Sequence, residues 1–250
     1  MKTVYVFLAA ACLSVACTRQ PRQITAMQSW AIAVDSTADA IQDTAYLRSL
    51  QLVQEELSGQ LNIPIGYAPV PMKAFLPESP LLNWATDALY DMAVQVAGTP
   101  VDFAIVNIGG IRCDWQAGDI TWRHVFELMP FDNRLVILTM KGEEVLQLCD
   151  VIARQGGQGI SRTLRMVIDG DEAKQVRLNG KPVEEEAVYY VATSDYLSNG
   201  MDNLTPLAHH LEKRDTDLKI RDLYIEYVHQ TTGSGKPVTA STDGRIQIRK

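Results

Sequence analysis

The chain has 250 residues and a net charge of −7, with 23 Lys and Arg against 30 Asp and Glu. A nucleic-acid backbone needs a concentrated basic face, so that partner is excluded and any nucleotide recognised here is a small one. Four cysteines are too few for a disulfide framework, and no segment past the N-terminal residues is long and apolar enough to cross a bilayer.

Met1-Lys2-Thr3 leads into an apolar stretch from Val4 to Ala11 and then Leu13-Ser14-Val15-Ala16-Cys17. One basic residue, an apolar core too short to span a membrane and small residues before a cysteine read as an export signal over residues 1–17. Ser14 to Cys17 resembles the bacterial lipobox, in which cleavage falls just before a lipid-bearing cysteine. On that reading Cys17 is the lipid-attachment residue and the chain is anchored in a bacterial envelope, facing the periplasm or the cell surface. The other reading is an ordinary signal cut nearby, with Cys12 and Cys17 both discarded. About 230 residues remain after the signal, enough for a lead-in arm and one substantial domain. Among them Cys113 and Cys149 are either bridged or free.

Residues 18–59 form a tether, polar from Thr18 to Thr25, and a lead-in. Tyr46, Leu50, Val53 and Leu57 follow at alternating four- and three-residue steps, which predicts an amphipathic helix. The domain proper is expected over 60–250. Ile63 to Tyr67 reads as a strand, four prolines from Pro69 to Pro80 keep the chain extended, and Leu81 to Ala97 reads as a helix ended by Gly98. Phe103 to Val106 is a continuous apolar run, as in a strand buried on both faces. Trp122 to Leu128 predicts a helix, Arg134 to Met140 a strand and Glu143 to Ala153 a helix. A hairpin follows from Leu164 to Ile168 and Gln175 to Leu178, then a strand over Ala187 to Thr193. Helices near His210 and Tyr224 and a last strand, Arg245 to Ile248, close the domain. Such a mixture makes an α/β or α+β sandwich on a mixed sheet.

Asn107-Ile108-Gly109-Gly110-Ile111-Arg112 directly follows the buried run. Adjacent glycines let the backbone come close to a ligand or adopt positive φ, flanked here by an amide and a guanidinium that suit a sugar or an anion. A plain turn with a surface charge is the other reading. Phe131, behind Pro130, and Tyr196, in Thr193 to Gly200, place rings at two more loops. Two such rings either pack into the core or sandwich a flat base, each face gaining on the order of 1–3 kcal/mol by stacking.

Taken together, seven segments in order resemble the C-terminal domain of the 5′-nucleotidase and 2′,3′-cyclic-nucleotide phosphodiesterase family. They are Glu78-Ser79-Pro80-Leu81-Leu82-Asn83 with Asp87-Ala88, then Asn107 to Arg112, Gly118 to Thr121, Pro130 to Asn133, Thr139 to Gly142, Gly157 to Ser161, and Tyr189 to Leu197. The resemblance implies a mixed-sheet sandwich of that type, preceded by the lead-in helix. It implies that Phe131 and Tyr196 clamp a nucleobase, that Asn107 faces the base edge beside Gly109 and Gly110, that Arg112 holds the ribose or phosphate, and that Asp202 accepts from the ribose hydroxyls. The chain departs from the family in three places. Val94, Gln95 and Val96 stand where an arginine usually ends the Asp-Ala helix, Gly200-Met201-Asp202-Asn203-Leu204 replaces Gly-Gly-Asp-Gly-Phe, and Leu82 replaces a glycine.

In this family hydrolysis belongs to an N-terminal metallophosphatase domain holding two divalent metals. None of His124, His209, His210 and His229 lies in an Asp-x-His, Asn-His-Glu or Gly-His-x-His arrangement, so no cofactor is expected in this chain. The expected partners are a nucleoside or nucleotide, a separate metallophosphatase subunit that supplies the metals, and a membrane. A stand-alone nucleotide hydrolase and an envelope scaffold with a decayed pocket are the other readings.

Overall fold

The computed structural model describes residues 26–32 and 43–249, without the side chains of Glu56 and Leu57. The expected export signal, Cys17 and the tether up to Thr25 lie outside these residues. The chain divides into two units, Met1–Leu50 and Gln51–Lys250. In the first, residues 26–32 have no regular structure. Helix α1 (Thr44–Leu61) then begins on a cap, with Ala45 N and Tyr46 N donating to Asp43 Oδ1 at 3.1 and 3.0 Å. The periodic positions Tyr46, Leu50 and Val53 are exposed.

Along the second unit follow β1 (Pro64–Ala68), α2 (Pro80–Val96), β2 (Phe103–Val106), β3 (Gly118–Thr121), α3 (Trp122–Leu128), β4 (Arg134–Lys141), α4 (Gly142–Arg154), β5 (Gly159–Ile160), β6 (Leu164–Asp169), β7 (Glu172–Leu178), β8 (Lys181–Pro182), β9 (Val188–Ser194), β10 (Glu212–Lys219), α5 (Ile220–Gly233) and β11 (Ile246–Ile248). The central sheet has the order β10-β4-β9-β2-β5, with β9 parallel to β2 and antiparallel to β4. A second sheet runs β11-β6-β7-β8, and β1 pairs with β3.

Alternate side chains of the central sheet enter two cores. Ala104, Val106, Leu135, Ile137 and Ala192 pack with α2, α3, α5 and the β1–β3 pair. Phe103, Ile105, Val136, Leu138 and Val191 pack with α4 and the second sheet. Burial on both faces is why β2 reads as an unbroken apolar run rather than as an alternation. Cys113 packs against the first core and Cys149 lies inside the second, and both are free thiols. Burial pushes the Cys149 thiol up to about 12, so it stays protonated at neutral pH.

The helix expected near His210 is a correction. Thr205–His209 is a short 3-10 turn, and the chain then enters β10, which among the described residues pairs with β4 alone, at the sheet edge. Its sequence, Glu212-Lys213-Arg214-Asp215-Thr216-Asp217-Leu218-Lys219, carries the charge that keeps an edge strand from pairing further. Charge of that density hides any period-2 apolar signal.

Several of the ordered segments do structural work. Asn83 Nδ2 donates to Glu78 Oε1 at 2.8 Å and to Ser241 O at 3.0 Å, tying the start of α2 to the C-terminal strap. Arg245, almost fully buried, bonds Asp87 through both terminal nitrogens at 2.9 Å and also donates to Ile160 O. Gly142 opens α4 so close to the chain after β8 that a Cβ there would lie 1.9 Å from Glu184 O. Because that neighbour is backbone and cannot swing away, Gly142→Ala is expected to lower the unfolding free energy by on the order of 1–3 kcal/mol. Urea denaturation measures this, and an unchanged midpoint would contradict the packing described.

Candidate functional site

The parallel pairing of β2 with β9 puts their carboxyl ends at one end of the sheet. Antiparallel β4 begins there, with Leu135 opposite Ser194. Three loops therefore leave side by side: the one after Val106, the one before Arg134 and the one after Ser194. The carboxyl end of parallel strands is where such sheets commonly hold ligands. Here the loops enclose a cleft of about 300 Å³ lined by Asn107, Gly109, Gly110, Arg112, Phe131, Asn133, Tyr196 and Asp202. All seven recognition positions named from the sequence thus meet in one cavity, together with Asn133.

The glycines serve close approach rather than positive φ. After Asn107 the chain makes a 3-10 turn, Ile108–Gly110, and a Cβ on Gly110 would lie 2.9 Å from Asn107 Oδ1. On Gly109 it would lie 3.3 Å from both Asn107 Nδ2 and Asp202 Oδ2. Arg112 uses one N–H on Gly109 O, at 3.1 Å, and its guanidinium carbon is 6.0 Å from the centre of the Phe131 ring. A guanidinium has five donors, so this contact leaves the fork able to meet an anion.

Phe131 and Tyr196 are 38 % and 42 % exposed, so neither is a core residue. The loop carrying Phe131 is held from beneath. Arg221, itself buried, donates to Phe131 O at 3.4 Å and to Asp132 Oδ1 at 2.7 Å, and lies over the Phe126 ring at 4.3 Å. Lys219 donates to Asp132 Oδ2 at 3.1 Å. Hydrogen bonds from Lys219 and then Arg221 hold the Asp132 carboxyl below the usual carboxylate range. The same loop is joined to the Tyr196 loop, because Asp195 Oδ1 accepts from both Arg134 N at 3.0 Å and Tyr196 N at 2.9 Å.

Asp202 has the left-handed backbone φ of +54°, and its carboxylate links two walls of the cleft. Tyr196 Oη donates to Oδ1 at 2.8 Å, and Asn107 Nδ2 donates to Oδ2 in close contact. The bond to Asp202 raises the Tyr196 phenol above its ordinary value. Behind these residues, Gln158 Oε1 accepts from Ile108 N, Gln158 Nε2 donates to Gln155 Oε1, and Gln155 Nε2 donates to Asp202 O.

The three departures fall differently. Gln95 bonds Gln230, ten residues along α5 from Ile220, whose amide meets Asn133 O at the cleft end. Positions 94–96 therefore lie about 15 Å along the helix from the cleft. Leu82 is fully buried in the first core, and Met201, which precedes Asp202, is exposed. Among the described residues no three His, Cys, Asp or Glu side chains group as metal ligands. His209 instead faces Glu144 at 3.2 Å, and His210 Nδ1 lies 2.9 Å from Leu207 O.

Sequence reasoning did not assign Asn133, Arg221, Gln155 or Gln158 to the site. Asn133 ended the Pro130-to-Asn133 segment and Gln158 fell inside Gly157 to Ser161. Arg221 stands on α5 and Gln155 caps the end of α4, neither with a local signal.

Two half-exposed rings, a guanidinium, a carboxylate and amides thus surround a strand-end cleft in an α/β domain, the kind of place where such folds commonly hold small ligands. The chain belongs to the 5′-nucleotidase C-terminal domain family, whose model matches residues 64–209. It is similar to the protein UshA of Yersinia enterocolitica, at 28 % identity over 76 % of this chain and 36 % of that protein. To a cell wall protein of Listeria monocytogenes, Lmo0130, it is 31 % identical over 67 % of this chain and 23 % of that one. The crystal structure of a 5′-nucleotidase precursor from Thermus thermophilus superposes with a TM-score of 0.70 at 26 % identity, covering 83 % of this chain and 43 % of that chain. The chain therefore spans less than half the length of each of these relatives.

Replacing Arg221 by Met keeps much of its volume but removes the tie to Asp132 and Phe131. The expected result is a loss of about 1–2 kcal/mol of stability and faster amide hydrogen exchange in residues 131–133. Unchanged exchange there would show that Arg221 does not hold the Phe131 loop.

Proposed function

We propose that this chain is the nucleoside- and nucleotide-recognising half of a 5′-nucleotidase. In this reading it is exported, anchored in the bacterial envelope through Cys17, and works with a separately made metallophosphatase subunit that supplies the divalent metals and hydrolyses the phosphomonoester. The carrying observation is the convergence of Phe131, Tyr196, Arg112, Asn107 and Asp202 on one cleft. Family membership supports the substrate class, and the relationship to a cell wall protein supports the envelope.

The cleft divides the labour by chemistry. Phe131 and Tyr196 offer ring faces to a base, which stacking holds without regard to its sequence of donors. The amides of Asn107 and Asn133 can each donate and accept at a base edge. Arg112, beside Phe131, meets the charged end of a nucleotide, and Asp202 accepts from the sugar. Hydrolysis is the partner's part, so recognition by this chain alone is expected to be weak.

Calorimetry of the purified protein with adenosine and AMP tests this reading. Binding of both is expected in the millimolar range or tighter, with Arg112→Ala weakening AMP by about tenfold and adenosine much less. Absence of binding at millimolar ligand would overturn the proposal in favour of a scaffold. Phosphate release from AMP by the pure protein with added divalent metal would overturn the separate subunit.

A further inference from the structure

We propose that Gln155 and Gln158 are positioning residues that set Asp202 for a vicinal diol, and so decide whether the cleft favours ribosides over sugars lacking those hydroxyls. The inference rests on the reading of the cleft as a nucleoside site.

The observation is a one-directional hydrogen-bond relay. Ile108 N donates to Gln158 Oε1 at 2.7 Å, Gln158 Nε2 to Gln155 Oε1 at 2.7 Å, and Gln155 Nε2 to Asp202 O at 2.9 Å. The relay starts at a backbone N–H and ends at a backbone C=O, so each intermediate group must accept at one atom and donate from another. A primary amide does this, whereas a carboxylate cannot donate and an ammonium cannot accept. Gln158 is 7 % exposed, and in that setting an unmade bond is costly.

The relay also begins and ends at meaningful places. Ile108 follows Asn107, whose side chain holds the Asp202 carboxylate, and the relay holds the Asp202 backbone. The turn at Asp202 and the loop at Asn107 are thereby locked together twice, once through each part of Asp202. That matters because Asp202 has φ +54° and ψ 31°, a left-handed conformation that a residue with a Cβ adopts at a cost. With Tyr196 Oη on Oδ1 and Asn107 Nδ2 on Oδ2, the carboxylate stands across the cleft wall with its remaining lone pairs for two adjacent hydroxyls. Stacking uses the ring faces, and Tyr196 meets Asp202 at its hydroxyl rather than at its face.

The test compares adenosine with 2′,3′-dideoxyadenosine by calorimetry on the purified protein, its Gln155→Ala and Gln155→Glu variants, and each paired with Asp202→Ala. Gln155 is only half-buried, which lets both variants fold, and melting temperatures check that they do. The unaltered protein is expected to prefer adenosine. Both Gln155 variants should weaken adenosine by about 5- to 10-fold, leave dideoxyadenosine within about twofold, and have no further effect once Asp202 is Ala. Equal weakening of the two ligands, or unchanged adenosine affinity, would overturn the proposal. Equal binding of the two ligands by the unaltered protein would overturn it too while leaving the stacking site standing, whereas binding of neither would overturn the nucleoside reading itself and this proposal with it.

Discussion

Strand β9 is hydrogen-bonded along both edges, to β4 through the antiparallel pairs from Leu135↔Ser194 to Lys141↔Val188 and to β2 through the parallel pairs Phe103↔Val191 and Ala104↔Ala192. Everything at the candidate site follows from this pairing. A parallel neighbour on one side and an antiparallel neighbour on the other bring two strand ends and one strand start to the same place, at positions distant in sequence. A slip of one residue in either ladder would turn Val106 or Leu135 to the opposite core and carry Asn107 or Asn133 out of the cleft. The register is held by burial: β2 is buried throughout, and alternate residues of β4 and β9 fill two different cores.

Given that placement, the cleft is arranged from within. Its polar groups are bonded first to one another: Asp202 to Tyr196 and Asn107, Arg112 to Gly109, Asp132 to Lys219 and Arg221. Self-bonding of this kind fixes side chains before a ligand arrives, which reduces the ordering cost of binding. Tyr196 joins this network only through its hydroxyl, and both rings remain half-exposed rather than parts of a core.

Much of the fold was legible because its elements are amphipathic or continuously apolar. Trp122–Leu128 came out with the same bounds, and the helix over 81–97 and the strands over 103–106, 134–140 and 187–193 within a residue or two. β10 was not legible, because an edge strand of alternating charge has no hydrophobic period and its pairing with β4 is a long-range fact. The lead-in helix was legible from its periodicity, which reports a stripe and says nothing of what covers it. At the site, the residues on strand-end loops were readable from short ordered segments. Arg221, Gln155 and Gln158 act through hydrogen bonds to other segments, and helical or loop sequence carries no local trace of such partners.

The account stands or falls on whether a base lies between Phe131 and Tyr196. The most direct measurement is NMR saturation transfer from the H2 and H8 protons of adenosine to assigned ring protons of the protein. The account predicts transfer to both Phe131 and Tyr196. Binding with transfer instead to Trp122 and Phe126, which line a separate apolar groove with Leu61 and Ile63, or to neither loop ring, would contradict it.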